Sequence, residues 1–192
     1  MNPLAIHPGA AHLLLQITLI GWAAIEVVLR LHNMGGRTAF DWTLWLVIAA
    51  VAAGVNLGFR AAHGHSAVLG GGWAPLAAGL VVLAAGVALR TWAIVTLGRL
   101  FKFVVVIQDG HRVVTSGPYR LLRHPSYTGG LVAFFGAGIA LDSWLSILAL
   151  VCIPLLAVLV RIHLEEAELG TALGSEYARY ASCTHRLVPG LW

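Results

Sequence analysis

Two polar clusters interrupt a chain that is otherwise mostly apolar: RHPSY at Arg123–Tyr127 and RIHLEEAEL at Arg161–Leu169. In the second, Arg161 and Glu165 stand at i and i+4, so on a helix a guanidinium and a carboxylate share one face. That pair suits recognition of a small ligand carrying both signs of charge. The first cluster combines an imidazole, a phenol and a cation around a proline. It lies among Gly117, Pro118, Tyr119 and Gly129, a density of special residues that predicts a defined, non-helical shape, as a ligand pocket needs. Each cluster also has a plainer explanation. An exposed ion pair at a helix end contributes about 0.3–0.5 kcal/mol, and Arg, His and Tyr at a membrane boundary commonly anchor to headgroups.

The elements between the clusters decide whether they can act together. Of 192 residues, 59% are hydrophobic and 10% charged. A soluble globule carries about a quarter charged residues, so the composition implies an integral membrane protein in a single domain, residues 1–192. Apolar runs near the ~20 residues a helix needs to cross hydrocarbon lie at 10–31, 42–59 and 74–97. The 37 residues from Thr128 to Leu164 are too many for one crossing, and Asp142-Ser143 reads as a turn at their middle. The expectation is a helical hairpin, 129–141 and 144–164, with Pro154 kinking the second arm because it removes a backbone donor. The fold class is therefore all-α, with five transmembrane helices. A hairpin leaves and re-enters one membrane face, so Tyr127 and Glu165 are expected to meet. With the N-terminus outside, ten of the twelve Lys and Arg residues fall on the inner side, one (Arg60) outside and one (Arg90) within a span. That bias fits the positive-inside rule and places residues 98–127 and 165–192 in the cytoplasm.

The remaining features are weaker. Asp109-Gly110, between Phe103–Ile107 and His111–Val114, is a β-hairpin signal. Glu26 could pair with Arg30 one turn on. Arg90 is a candidate by its depth in the membrane, with snorkelling the bland alternative. His63-Gly64-His65 lacks the further ligands a metal site needs, so no metal is expected. The opening MNPLAIHPGA has no basic n-region, so no cleavable signal is expected. The two cysteines make no disulfide framework. The net charge of +4, spread over loops between apolar runs, gives no nucleic-acid footprint. No P-loop, GxGxxG, GxSxG or HExxH pattern occurs. Intramembrane polar residues are few, which disfavours a non-catalytic transporter or scaffold.

RHPSY, an apolar stretch and then Glu165-Glu166, together with VVTSGPYRLLRHPSYTGG and the tail from Arg161 to Trp192, resemble the isoprenylcysteine carboxyl methyltransferase family over about residues 98–192. The resemblance implies a membrane enzyme that uses S-adenosyl-L-methionine, releases S-adenosyl-L-homocysteine and methylates a lipophilic or prenylated acceptor in the bilayer. The acceptor group is best read as a carboxylate, with a lipid amine or a small thiol as alternatives. It further implies that His111, Arg112, Val113, Val114, Tyr119, His124, Pro125, Ser126 and Tyr127 line the cofactor pocket, that Glu165 meets the cofactor's polar end, and that Arg161 holds the acceptor's carboxylate, making Arg161 and Glu165 the catalytic pair. The family tail often has a basic residue after Val-Pro; here it reads THRLVPGLW, with Arg186 available instead. These roles suit the chemistry: a carboxylate is already ionised at pH 7, so the protein has mainly to align it and exclude water.

Overall fold

The computed structural model describes residues 8–32, 41–63, 68–98 and 113–190; side chains of helix α1 are described only in part. The described residues form six helices: α1 (Pro8–His32), α2 (Trp42–His63), α3 (Trp73–Leu97), α4 (Pro125–Ala140), α5 (Trp144–Leu173) and α6 (Ser175–Ser182), with a 3-10 turn at Gly117–Arg120. Of these, α2, α3 and α5 are long and apolar enough to cross a membrane. Their outward faces carry large apolar side chains such as Val81 (70% exposed) and Leu156 (67%), as expected where the solvent is lipid.

The hairpin is formed by α4 and α5, and its boundaries differ from the sequence expectation. Helix α4 begins at Pro125, inside RHPSY, rather than at Gly129. Proline at the first helical position loses no intrahelical bond and presets the backbone angle, so the cluster expected to be non-helical is a helix start preceded by a bend. Helix α5 runs nine residues past Leu164, through Gly170, and stops at Gly174, which takes a positive φ of 52°. Pro154 sits inside an unbroken α5, fully buried. Opposite it on α2 is Gly54, where an added Cβ would stand 3.3 Å from the Pro154 ring. At the hairpin tip, Asp142 closes the turn with a positive φ of 55°, and its carboxylate accepts from the N–H groups of Gly70 (3.1 Å) and Gly71 (3.0 Å). The α2–α3 connection is thereby stapled to the hairpin tip.

Small residues set the depth of the α3–α4 contact. Gly79 and Gly86 on α3 interleave with Gly129 and Gly136 on α4. A Cβ on Gly129 would stand 2.6 Å from the backbone nitrogen of Arg90. In lipid, where apolar side chains gain little by leaving one apolar phase for another, such close backbone approach is a main source of helix association. The core between the helices is built from Leu76, Leu83, Ala133, Ala137, Leu141 and Leu150, joined by Leu15 from α1.

Candidate functional site

The hairpin returns Tyr127 and Glu165 to one place. The Tyr127 hydroxyl donates to Glu165 Oε1 (2.6 Å) and accepts from Arg161 Nε (2.6 Å). Arg161 Nε also donates to Glu165 Oε1 (2.9 Å), the i,i+4 contact expected on one helix face. The other end of the guanidinium reaches α2: Nη1 donates to Asp41 Oδ2 (3.1 Å) and to Thr43 Oγ1 (2.9 Å). Arg161 is 3% exposed. A charge so buried is tolerated when its donors are paired, and here three elements supply the partners. Hydrogen bonding at fixed angles is what a planar guanidinium provides and a lysine ammonium does not.

A second knot surrounds Glu166, which lies beyond the apolar stretch that ends at Leu164. Its Oε1 accepts from Arg123 Nε (2.8 Å) and lies 3.3 Å from His124 Nε2; its Oε2 accepts from Arg186 Nε (2.8 Å). Burial pushes this carboxyl's pKa up, but the hydrogen bonds from His124, Arg123 and Arg186 prevail and hold it at about 2. Arg123 also donates through Nη1 to the carbonyls of Ala181 (2.7 Å) and Thr184 (2.5 Å). Backbone bonds from Arg123 N–H to the His185 carbonyl (2.7 Å) and from His124 N–H to the Arg186 carbonyl (3.1 Å) lay the tail along the bend. Thr128 Oγ1 donates to the Leu187 carbonyl (2.8 Å), and the Tyr180 hydroxyl donates to the Tyr119 backbone carbonyl (2.9 Å). The adjacent glutamates therefore divide: Glu165 turns to Arg161 and Tyr127, Glu166 to the tail. The Arg186 left open by the sequence comparison is one of the tail's anchors.

Arg90 and Glu26 form a third group that joins α1, α3 and α4. Arg90 on α3 pairs through Nε and Nη2 with the Glu26 carboxylate on α1, and through Nη1 donates to the Ser126 carbonyl and hydroxyl, both at 3.1 Å. Trp22 Nε1 donates to Glu26 as well (3.0 Å). The structure thus gives Glu26 an interhelical partner in Arg90, while the Arg30 side chain suggested by the sequence lies outside the described residues; it places Arg90 against α1 and the first turn of α4, where snorkelling was the simpler account.

Of the residues expected at the cofactor pocket, His111 and Arg112 lie outside the described residues, as does the expected β-hairpin apart from Val113 and Val114, which lie in neither helix nor strand. Val113 and Tyr119 line an open groove of about 570 Å³ together with Arg120, Glu176, Arg179 and Tyr180. The Val113 N–H donates to Glu176 Oε1 (3.3 Å). His124, Pro125 and Ser126 are buried at the α4 start; the His124 and Tyr127 rings stack with centroids 5.8 Å apart. Tyr119 connects the groove to the Glu165 cluster: burial first, then the charges of Tyr180 and Glu165, raise its phenol pKa. The groove's size falls in the range of small-ligand pockets, and its lining offers the Glu176 carboxylate and the rings of Tyr119 and Tyr180 beside the guanidinium groups of Arg120 and Arg179. Sequence reasoning assigned no role to Asp41, Thr43 or Glu176, and took Arg123 only as the cation of the RHPSY cluster. Asp41, immediately before an apolar run, carried a helix-cap signal, but nothing local connected it with Arg161.

Comparison with known proteins follows this geometry. Residues 77–171 match the model of the isoprenylcysteine carboxyl methyltransferase (ICMT) family. A probable protein-S-isoprenylcysteine O-methyltransferase of Oryza sativa subsp. indica is 38% identical over 113 residues, 58% of this chain and 59% of that protein. Protein-S-isoprenylcysteine O-methyltransferase A of Arabidopsis thaliana is 35% identical over the same length, covering 57% of its own chain. The solved structure of a eukaryotic intramembrane Ras methyltransferase, ICMT, superposes with a TM-score of 0.62 at 28% identity, over 74% of this chain and 52% of that one. The chain thus spans little more than half the length of these three relatives. The match to the ICMT family model takes in most of α3, the bend, the α4–α5 hairpin and both glutamates.

Proposed function

We propose that the protein is an S-adenosyl-L-methionine-dependent methyltransferase of the membrane that esterifies a lipophilic carboxylate of the isoprenylcysteine kind. We read five crossings, with α1 and α4 joining the three long apolar helices, the N-terminus outside and the Arg161–Glu166 region at the cytoplasmic rim. The observation that carries the reading is the meeting of Arg161, Tyr127 and Glu165 at one end of the hairpin.

The cofactor would lie between the 113–127 segment and Glu165, and when bound it supplies an electrophilic methyl group on sulfur. Glu165 offers a carboxylate to its ammonium group. Tyr119 and the His124–Tyr127 turn line the wall. Arg161 presents a planar fork to the acceptor's carboxylate, which fixes the attacking oxygen in orientation. An ionised carboxylate needs no proton removed, so the chain supplies no general base. Apolar faces of α3–α5 shield the reacting atoms from water. A site at the membrane rim serves both a water-soluble donor and an oily acceptor.

The test has two steps. Folded, purified protein is titrated calorimetrically with S-adenosyl-L-homocysteine, and is then incubated with labelled cofactor and a panel of prenylated thioether acids, fatty acids, phospholipids and thiols. Binding at micromolar ligand and transfer to the prenylated acids are expected. No binding at high micromolar ligand overturns the reading; transfer to amines or thiols alone redirects it.

A further inference from the structure

We infer that Asp41, with Thr43, is a positioning residue that orients the Arg161 fork and so sets the site's preference for a carboxylate acceptor; this rests on the function proposed above. Asp41 does two jobs at once. Its Oδ1 caps α2, accepting from the N–H of Thr43 (2.9 Å) and of Leu44 (3.3 Å) and from the Thr43 hydroxyl (2.5 Å). Its Oδ2 accepts from Arg161 Nη1 (3.1 Å), and the Thr43 hydroxyl accepts from the same nitrogen (2.9 Å). Arg161, Thr43 and Asp41 thus close a ring in which every hydrogen is directed. Both residues are buried, Thr43 at 3% and the Asp41 side chain at 8% exposure.

The cap makes this contact an anchor. An Asp at an exposed helix end swings between rotamers; here two backbone N–H groups hold the carboxylate in place, and its second oxygen is left at a fixed point opposite α5. The Nη1 end of Arg161 is therefore tied to α2, 120 residues away in the chain, while the Nε end faces Tyr127 and Glu165. Without the α2 contact the guanidinium would keep its charge but lose the hold that defines which edge faces the rim. Charge-assisted hydrogen bonds are about twice as strong as neutral ones and depend on angle, so a turned fork would distinguish poorly between an acid and an uncharged isostere.

The substitution Asp41→Asn separates the two jobs. Asn caps helices as well as Asp does, so one oxygen can stay on the α2 N–H groups, but the other atom becomes an amide nitrogen that presents donors to the Arg161 donors. The measurement is the affinity ratio of a prenylated thioether acid to its neutral carboxamide, each as a competitor in labelled methyl transfer, with S-adenosyl-L-homocysteine binding followed by calorimetry. In D41N the ratio should fall about tenfold, the scale of one charge-assisted bond, while homocysteine-product binding stays within about twofold. Thr43→Val should reduce the ratio and Thr43→Ser should preserve it. A general loss of structure would weaken acid and carboxamide alike and leave the ratio unchanged. Asp41→Ser, which also caps, serves if D41N does not yield folded protein. An unchanged ratio in D41N, or tighter acid binding, overturns the assignment while leaving methyl transfer by the wild type intact. Absence of transfer and of any acid preference in the wild type would instead sink the functional reading itself.

Discussion

The Tyr127 hydroxyl stands 2.6 Å from Arg161 Nε and 2.6 Å from Glu165 Oε1, bridging the first turn of α4 to a turn of α5 that lies 34 residues on. Because it accepts from one and donates to the other, its single proton has a defined place. Burial, and after it the charge of Glu165, raise the phenol's pKa well above its ordinary value, so at working pH this group stays neutral and keeps its hydrogen on the glutamate. Tyr127 thus couples the two groups proposed to receive acceptor and cofactor.

Replacing Arg161 by Lys should separate binding from turnover. A lysine keeps a positive charge near Asp41 and Glu165, which limits the cost of leaving them buried and unpaired, a cost of roughly 3–5 kcal/mol when a partner is removed outright. It cannot reproduce the fork. Methyl transfer should fall by about a hundredfold, with S-adenosyl-L-homocysteine affinity changed by only a few fold. Equal losses in both would place Arg161 with the cofactor instead of the acceptor.

Tyr127→Phe should lower turnover with a milder effect on folding, since the ring still stacks on His124 while the hydroxyl bridge is lost. A net loss of about 1–2 kcal/mol, from two charge-assisted hydrogen bonds, is expected in thermal unfolding in detergent. Wild-type turnover in this variant would remove the bridge from the site.

The tail clamp has a pH signature. Glu166 is held at about 2 against an ordinary value of 4.5. A carboxyl whose pKa is lowered on folding adds stability that is fully present above its unfolded value and fades as pH falls toward its folded one. Docking of the tail should therefore be insensitive to pH above 4.5 and weaken between 4.5 and about 2. Limited proteolysis with an acid protease reads this directly. Glu166→Gln should expose residues 183–190 to cleavage already at neutral pH.

Arg90 and Glu26 should show strong coupling in a double-mutant cycle. Either Glu26→Gln or Arg90→Met alone leaves a charge without its counter-ion among apolar helices, at a cost of about 3 kcal/mol. The double variant should recover part of that loss. Additive effects would mean that the pair contributes nothing beyond its separate members.

The α3–α4 seam admits no side chain at its crossing points. Gly86→Ala places a methyl group 2.6 Å from the Gly129 carbonyl oxygen and in collision with the Ala133 backbone. Both neighbours are backbone, which cannot turn aside, so the helices must part. A loss of about 1–3 kcal/mol and weakened cofactor binding are expected, because Ser126 and its Arg90 contact ride on this seam. The comparison control is Gly21→Ala, where a Cβ meets nothing within 4 Å.

The sequence by itself determined a great deal that depends only on neighbours along the chain. Long apolar runs must bond their own backbone in lipid and so become helices. The Asp142-Ser143 turn folds one run back on itself, and the Arg161–Glu165 spacing puts both on one face. Local rules also misplaced the start of α4, because Pro125 reads equally as a bend or as a first helical residue. Apart from the Arg161–Glu165 pair, tertiary packing decided which opposite charge each of these charges would meet. Glu26 met Arg90 across the α1–α3 contact, Glu166 took Arg123 and Arg186 from the bend and the tail, and Asp41 reached across to Arg161. In a low-dielectric interior a charge is stable only beside its counterpart. Which counterpart lies within about 3 Å is set by helix crossings and glycine-to-backbone contacts between segments tens of residues apart, distances that no short window of sequence contains.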